Sequence, residues 1–205
     1  MTSSVNKVLI VGGGFTGMST AILLSKQGIE VHLVELDEKW KTDGAGITVS
    51  GPSLRAIEQI GLIDEFRRHG AICQNVDMLT ADGTFLRQIV TPAVPGSSIT
   101  GGGGIMRPVL AGILAEKVQQ SGVHVHLGCT YETLTEQEEG IKAILTDGSE
   151  HVFDMVLAAD GVFSKTREQY FEGAPVPQYT GQVVWRAVVE RHGLERPALF
   201  YGSNG

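Results

Sequence analysis

Residues 7–35 read KVLIVGGGFTGMSTAILLSKQGIEVHLVE, and this stretch decides the fold. The apolar run at residues 8–11 predicts a strand, the three glycines after it predict a turn, and residues 29–34 predict a second strand buried on both faces. Gly28 stands where a left-handed helix cap is expected. Between the turn and Gly28, apolar residues recur at helical spacing: Met18, Ala21, Ile22 and Leu24. The stretch therefore predicts a βαβ unit.

The turn within this unit matches the pattern G-x-G-x-x-G at residues 12–17. In that pattern Gly12 makes the bend, Gly14 admits a pyrophosphate close to the backbone, and Gly17 lets the helix meet the strand. The pattern alone is weak because glycine-rich turns are common. Here it follows a strand and opens a helix, so it predicts a dinucleotide site.

Two further features of the unit indicate the kind of ligand. Phe15 and Thr16 open the helix, whose N-terminus directs N–H groups and the positive end of its dipole at phosphates. Glu35 ends the second strand about 20 residues beyond the glycines, where an acid binds ribose hydroxyls. An acid there argues against a ribose phosphate, so FAD or NAD fits better than NADP. The alternative is that the glycines only shape a tight turn and Glu35 is a solvated charge.

The composition favours a protein that binds a small molecule. Among 205 residues, 23 are acidic and 16 are basic, with no basic run, which disfavours a nucleic-acid or anionic-membrane surface. Cys73 and Cys129 lack the spacing of a zinc site, and we expect both to be buried thiols in a reducing compartment. No apolar stretch reaches the length of a membrane span, so the expected location is the cytoplasm.

Beyond residue 35 the sequence pattern changes several times. Residues 36–51 are irregular, and residues 52–70 predict a helix with a break at Gly61. Over residues 72–90 the apolar period becomes two, and the dipeptide Asp82-Gly83 predicts a hairpin that belongs to a different sheet.

The segment that follows the hairpin is rich in turn formers. Residues 91–104 contain two prolines and four consecutive glycines, and they predict a mobile loop. The α/β pattern then returns, with a helix that has Pro108 in its first turn, a strand at residues 123–128 and a β-meander over residues 141–160.

Residues 182–190, QVVWRAVVE, predict a further strand. Trp185 and Arg186 would lie on opposite faces of it. The preferred interpretation packs Trp185 in the core and leaves Arg186 solvated, and the alternative turns one of them into a substrate cavity.

Two charged residues, Asp160 after a predicted strand and Arg107 at the start of a predicted helix, occupy positions that suit ligand binding. Asp160 ends an apolar strand, where open α/β sheets bind ligands, and Ser164 is placed to cap the next helix. The alternative for Asp160 is an ordinary Asp-Gly turn. Arg107 precedes Pro108 at a helix start, where it either reaches an anionic or hydroxyl-rich ligand or is solvated or ion-paired.

In this order, the motifs resemble those of the FAD-dependent aromatic hydroxylase family, the single-component flavoprotein monooxygenases related to para-hydroxybenzoate and salicylate hydroxylases. The resemblance spans nearly the whole chain. The acid that binds the FAD ribose is matched by Glu35, and a Gly-Ala-Gly-Ile-like loop near the flavin is matched by the loop containing Gly46. An arginine that contacts FAD is matched by Arg107, which begins the pattern Arg-x-x-Leu-x-x-x-Leu with Leu110 and Leu114.

The most specific match is the second fingerprint of the family, formed here by Asp160, Gly161, Ser164 and Arg167. In the family this segment helps to hold FAD and serves NAD(P)H binding. The resemblance also places Lys41 where relatives often have a basic residue near FAD, and Tyr131 where a backbone group often meets adenine. The third fingerprint, a downstream Gly-Asp pair, is absent from the sequence.

The resemblance implies an α/β fold class, with a Rossmann-like FAD-binding domain and its β-meander interleaved with part of a second, mainly β substrate domain. The FAD-binding domain is expected at residues 1–71 and 101–174. The substrate domain is expected to contribute a hairpin and loop at residues 72–100 and a truncated start at residues 175–205. Because the sequence stops directly after an apolar strand candidate, we expect it to be a fragment.

The implied activity is hydroxylation of a small aromatic compound with FAD, NADH or NADPH, and O₂. The sequence indicates no catalytic residue and no metal site, and it leaves the substrate, the choice of NADH or NADPH and the oligomeric state open. Two alternatives remain at this stage. One is an FAD- or NAD-linked reductase or oxidase without hydroxylation, and the other is a truncated nucleotide-binding fragment without catalysis.

Overall fold

A computed structural model describes residues 5–90, 97, 99, 101–190 and 197–202. By its internal contacts the chain divides into two compact units, which are Met1–Thr42 with Ala111–Val184, and Asp43–Leu110 with Trp185–Gly205. Within the described ranges, every helix is too short or too polar to cross a lipid bilayer.

The helices are α1 (Phe15–Lys26), α2 (Gly51–Ile60), α3 (Ile63–His69), α4 (Arg107–Gln119) and α5 (Lys165–Tyr170). The strands are β1 (Lys7–Val11), β2 (Glu30–Glu35), β3 (Gly46–Val49), β4 (Ala71–Cys73), β5 (Asn75–Thr80), β6 (Phe85–Val90), β7 (Gly102–Met106), β8 (His124–Leu127), β9 (Tyr131–Gln137), β10 (Gly140–Leu145), β11 (Glu150–Phe153), β12 (Met155–Ala158) and β13 (Ala198–Tyr201).

The first unit is built on a parallel four-stranded sheet in the order β12-β1-β2-β8. Val11 at the end of β1 pairs with Val34 on one side and with Ala158 on the other, so three strands end together at one edge. The interior of β1 is completely buried, as expected for a parallel strand covered on both faces. The predicted βαβ unit and the α/β class are confirmed.

Helix α1 covers one face of this sheet, and its sequence explains why. Its buried residues, Gly17, Met18, Ala21 and Ile22, recur at the spacing of one helix face. Gly28 follows the helix with φ of +78°, the left-handed conformation predicted for it.

The other face of the sheet packs on the meander of β9, β10 and β11, which pair antiparallel. Strand β9 was not predicted. The shared core consists of residues from β1, β2, the meander and the segment between β8 and β9: Leu9, Val11, Val34, Cys129, Tyr131, Ala143, Leu145 and Phe153. Cys129 is buried as expected, whereas Cys73 is only half-buried, and both thiols are free.

The second unit contains the predicted hairpin. Strands β5 and β6 pair antiparallel around the turn at Asp82-Gly83, where Gly83 has φ of +87°. Strand β13 pairs parallel with β5, and these strands form a sheet separate from that of the first unit, as expected. The predicted helix of residues 52–70 is also confirmed as α2 and α3, with the break at the left-handed Gly61.

A second sheet of this unit corrects two expectations. Strand β7, which contains most of the glycine tract predicted as a mobile loop, lies between β3 and β4, and β3 lies in the stretch predicted as irregular. A Cβ on Gly103 would lie 2.8 Å from the Ala71 carbonyl oxygen and 2.9 Å from the Phe66 ring. Close packing therefore requires glycine at position 103. Residues 91–96 of the predicted loop lie outside the described residues.

The strand predicted over residues 182–190 is wrong. These residues are irregular, and they are exposed throughout. Trp185 is 94% exposed, so the expectation that it packs in the core is also wrong. Apolar alternation predicts a strand only where a neighbouring strand can pair with it, and the described residues provide none here.

The boundaries of the two contact-defined units differ from the expected domain boundaries. Residues 43–71 group with the hairpin, whereas the sequence placed them with the dinucleotide-binding segments. Which segments serve a cofactor and which serve a substrate stays a prediction.

Two helical glycines allow a matched test of the packing. A Cβ on Gly17 would lie 1.9 Å from the Gly12 carbonyl oxygen, whereas a Cβ on Gly112 in α4 would meet no atom within 4 Å. We expect Gly17→Ala to lower the free energy of unfolding by about 2 kcal/mol or more because of the clash. We expect Gly112→Ala to raise it by about 0.5–1 kcal/mol because alanine favours helix. Urea denaturation of both variants checks this, and equal effects would contradict it.

Candidate functional site

The glycine turn between β1 and α1 is closed by neighbouring main-chain atoms at Gly12 and Gly17 and is open at Gly14. Gly12 has φ of +106°, and a Cβ on it would lie 2.5 Å from the Ala159 carbonyl oxygen. Gly17 is closed off in the same way by the main chain of Gly12. A Cβ on Gly14 would meet nothing within 4 Å. The turn is therefore packed tightly against the sheet at its first and third glycines and opens outward at Gly14.

The N-terminus of α1 lies at this open side. Gly14 is its N-cap in an extended conformation, no side chain caps the helix, and no acidic residue occupies its first turn. Phe15 is half-buried and Thr16 is exposed. A helix N-terminus without an acid or a side-chain cap attracts an anion through its N–H groups and its dipole.

Glu35 lies beside the turn at the end of β2 and is half-buried. Its Oε2 accepts a hydrogen bond from the Gly13 N–H at 2.6 Å, and its Oε1 accepts one from the Asp37 N–H at 2.9 Å. A carboxylate has about four acceptor positions, so about two remain for hydroxyl donors. The structure thus brings Glu35 to the glycine turn, as the spacing predicted.

Trp40 also holds the glycine turn, and the sequence reasoning missed it. Its indole Nε1 donates to the Gly13 carbonyl oxygen at 2.8 Å, and its φ is +47°. Asp37 stabilises this unusual conformation, because its carboxylate accepts hydrogen bonds from the N–H groups of Lys39 and Lys41. The only signal in the sequence was an aspartate just after the strand, which is typical of a turn. Lys41 itself is exposed in this turn.

Asp160 follows β12 at the same edge of the sheet. Its Oδ1 accepts a hydrogen bond from Ser164 Oγ at 2.6 Å, and its Oδ2 accepts from the N–H and the hydroxyl of Thr166 at 3.1 and 2.9 Å. Burial raises the pKa of Asp160, but these hydrogen bonds outweigh it, and the pKa falls below its ordinary value. Ser164 Oγ accepts from the Arg167 N–H at 2.9 Å, which confirms it as the N-cap of α5.

Tyr131 is joined to Asp160 through Thr166. The Tyr131 hydroxyl donates to Gln169 Oε1 at 2.8 Å and lies 3.1 Å from Thr166 Oγ1. Burial raises the pKa of Tyr131, so its phenol stays neutral. The side chain of Tyr131 thus packs in the core, where it is 8% exposed.

A cavity of about 270 Å³ brings together four of the predicted residues of the first unit, whereas the others, Phe15, Thr16, Gly17, Lys41 and Tyr131, do not line it. Gly12, Gly14, Glu35 and Asp160 all line it. The complete lining is Val11, Gly12, Gly14, Val34, Glu35, Leu36, Cys129, Thr130, Ala159, Asp160 and Gly161. The glycine turn, the acid predicted to bind ribose and the strand-end carboxylate therefore surround one space.

Two predicted residues lie close together in the second unit. Gly46 begins β3 and pairs with Met106, and the N–H of Arg107 donates to the Ala45 carbonyl oxygen at 3.0 Å. Arg186 Nη1 donates to the carbonyl oxygen of Gly46 at 3.1 Å. Arg107 is exposed at the first residue of α4.

The geometry of the first unit fits a dinucleotide. The open space at Gly14 and the uncapped helix N-terminus suit a pyrophosphate, and the remaining acceptor positions of Glu35 suit ribose hydroxyls. The cavity lies at the carboxyl ends of parallel strands, where α/β sheets bind such ligands.

Comparison with known proteins agrees with this geometry. The profile of the FAD binding domain family matches residues 6–195. The chain is 30% identical over 192 residues to 2-heptyl-3-hydroxy-4(1H)-quinolone synthase of Pseudomonas aeruginosa (strain UCBPP-PA14), covering 94% of this chain and 49% of that protein. It is 27% identical over 232 residues to salicylate hydroxylase of Pseudomonas putida, covering 97% of this chain and 50% of that protein.

The fold is similar to that of proteins whose structures have been solved. The crystal structure of P. aeruginosa PqsL in complex with 2-aminobenzoylacetate superposes with a TM-score of 0.68 and 27% identity, covering 80% of this chain and 45% of that one. The chain spans about half the length of the curated relatives it matches. Because the family profile extends over most of its length, the chain belongs to the FAD binding domain family, the family of the FAD-dependent aromatic hydroxylases.

Proposed function

We propose that the protein is an FAD-dependent monooxygenase that hydroxylates a small aromatic compound with NADH or NADPH and O₂. The observation that carries this proposal is the single cavity where the glycine turn, Glu35 and Asp160 meet, in a chain that matches the FAD binding domain over residues 6–195. Relatives named salicylate hydroxylase and 3-hydroxybenzoate 6-hydroxylase support an aromatic substrate.

The residues of the turn would hold the pyrophosphate of FAD. Gly12 and Gly17 fix the backbone, Gly14 leaves the space, and Phe15 and Thr16 begin the helix whose N-terminus faces the phosphates. Bound FAD supplies the redox chemistry between NAD(P)H, O₂ and the substrate.

Glu35 would bind the ribose of FAD while it holds the turn. Its carboxylate accepts the Gly13 N–H, so a single side chain both fixes the loop and presents acceptor atoms to hydroxyl groups. Trp40 fixes the carbonyl side of Gly13, which leaves this residue little freedom to move. Such a site is organised before the ligand arrives, which lowers the cost of binding.

Asp160 would act mainly by positioning the segment that follows it. Its two oxygens are engaged by Ser164 and Thr166, so the ionised carboxylate holds the turn at Gly161 against the cavity. Its negative charge faces the same cavity as Glu35. Bound phosphates would be favoured at the uncapped N-terminus of α1, where the free N–H groups and the positive end of the helix dipole lie.

Lys41, Gly46, Arg107 and the main chain of Tyr131 complete the proposed contacts with FAD. We assign residues 1–71 and 101–174 to the FAD-binding domain, and residues 72–100 and 175–205 to the substrate domain.

The proposed location of the protein is the cytoplasm. Two features support it, which are the free thiols of Cys73 and Cys129 and the proposed use of NAD(P)H.

The proposed activity predicts a substrate-stimulated oxidation. The protein, saturated with FAD, should consume NADH or NADPH faster when a hydroxybenzoate or related phenol is added, and one atom of isotopically labelled O₂ should enter the product. Absorbance of the nicotinamide and mass spectrometry of the product measure the two quantities. Oxidation of NAD(P)H without incorporated oxygen would instead identify a reductase or oxidase, and a colourless preparation that takes up no flavin would refute the proposal.

The role of Glu35 predicts a specific loss of FAD affinity. We expect Glu35→Gln to weaken FAD binding about tenfold, because the neutral amide loses the charge-assisted hydrogen bonds to hydroxyl groups. Titration followed by flavin absorbance measures the Kd. Glu38→Gln, a change of an exposed acid three residues further on, is the matched control and should leave the Kd unchanged. Equal Kd values for Glu35→Gln and the unaltered protein would contradict the assignment.

The ionised Asp160 predicts a pH-dependent stability. Because its folded pKa lies below the ordinary 3.8, its stabilisation is present above that value and is lost as the pH falls through the folded pKa. At pH 7 we expect Asp160→Asn to lower the free energy of unfolding by about 1–3 kcal/mol, since the amide cannot accept from both Ser164 and Thr166. The difference should narrow between about pH 5 and 3.

Urea denaturation at a series of pH values measures this difference. The exposed Asp43→Asn serves as the control and should stay within about 0.5 kcal/mol of the unaltered protein throughout. A difference for Asp160→Asn that stays constant down to pH 3 would show that the carboxylate does not hold the turn as an anion.

A further inference from the structure

Four of the six histidines in the chain lie together in the first unit, away from the glycine turn. The ring of His32 lies 4.6 Å from that of His124, 5.4 Å from that of His126 and 5.1 Å from that of His151, measured between centroids. Neither the dinucleotide site nor the proposed hydroxylation uses these residues.

The parallel pairing of β2 and β8 explains why the histidines meet. His32 pairs with His124 and Val34 pairs with His126, so all these side chains point to the same face of the sheet. Glu30 lies two residues before His32 and shares that face. The register of β2 and β8 therefore sets the positions of His32, His124 and His126.

We infer that Glu30, His32 and His124 bind one divalent transition-metal ion of the zinc type. One ligand atom from each of the three residues lies within 4.8 Å of the other two. In a tetrahedral site with bonds of about 2.1 Å, ligand atoms lie about 3.4 Å apart. Glu30 and His124 are exposed, so rotation of their side chains would close the remaining distance. Water fills the fourth position.

His32 is the fixed member of the set. It is only 6% exposed, and its Nε2 faces Glu30 Oε1 at 2.9 Å. Its other nitrogen, Nδ1, lies 3.2 Å from His126 Nε2. With the proton on Nδ1 donated to His126, the lone pair of Nε2 points at the position of the ion.

This second hydrogen bond is the arrangement that orients metal-binding histidines in proteins. His126 Nδ1 in turn lies 3.9 Å from Asp147 Oδ2, an ion-pair distance that adds negative charge behind the ring. Asp147 and His126 therefore orient the His32 ring through the nitrogen that does not face the ion.

Lys7 is the competitor for this site. Its Nζ lies 2.9 Å from Glu30 Oε1 and 5.5 Å from the centre of the Phe153 ring. The ammonium neutralises Glu30 when the ion is absent, and the ion must displace it or bind through the other carboxylate oxygen. Removal of the Lys7 charge should therefore strengthen metal binding.

The donor set selects the class of ion. Imidazole nitrogens suit zinc, copper and nickel, whereas magnesium and calcium prefer sites made entirely of oxygen ligands. Glu30 and His32 of the site precede Glu35 on β2 by five and three residues, which corresponds to about 16 and about 10 Å at the usual rise per strand residue. Metal and dinucleotide would thus occupy separate positions.

Titration of the untagged, chelator-treated protein with zinc tests the inference. Isothermal calorimetry should show one zinc ion per chain. His124→Asn and Glu30→Gln each remove an exposed ligand and should weaken zinc binding at least tenfold while the protein stays folded. His126→Gln, which removes only the supporting hydrogen bond, should weaken it about tenfold. Lys7→Met should bind zinc at least as tightly as the unaltered protein.

Two controls separate this site from other sources of zinc binding. His69→Gln changes an exposed histidine outside the cluster and should leave the zinc Kd unchanged. Glu35→Gln should also leave it unchanged, although it weakens FAD. The inference is overturned if His124→Asn binds zinc as tightly as the unaltered protein, or if His69→Gln loses as much affinity as His124→Asn. Zinc binding also requires no hydroxylase activity, so failure of one proposal leaves the other standing.

Discussion

The close approach of α1 to the glycine turn is the contact on which the rest of the site depends. With the Gly12 carbonyl oxygen 1.9 Å from where a Cβ of Gly17 would stand, no residue larger than glycine fits between helix and strand. This approach brings the helix N-terminus to the edge where β1, β2 and β12 all end. Glu35 ends the strand on one side of β1 and Asp160 follows the strand on the other side, so both carboxylates line the cavity at this edge.

The sequence predicted the parts of the fold that depend on residues close to one another in the chain. The glycine turn, the face of α1, the Asp82-Gly83 hairpin and the break at Gly61 each depend on residues within a few positions of one another. Ser164 as a helix cap belongs to the same group, because the cap bonds to an N–H three residues away. The position of Glu35 was also predictable, since strand and helix lengths in a βαβ unit vary little.

The parts that the sequence did not predict depend on contacts between distant residues. The glycines of β7 carry the composition of a loop, but they form a strand that pairs with β3 and β4, and Phe66 and Ala71 pack against Gly103. Residues 182–190 carry the composition of a strand, but no described strand pairs with them. Trp40 was missed because its importance comes from Gly13, 27 positions earlier, and not from its own neighbours.

The position of Trp40 also gives the protein an optical probe. The chain has two tryptophans, and they differ sharply in surroundings. Trp185 is 94% exposed, whereas the Trp40 indole is half-buried and hydrogen-bonded to the turn. With Trp185 replaced by phenylalanine, the remaining fluorescence would come from a single indole bonded to Gly13, the residue before Gly14. The emission of that indole would then report the arrival of a ligand at the turn directly, without any added label.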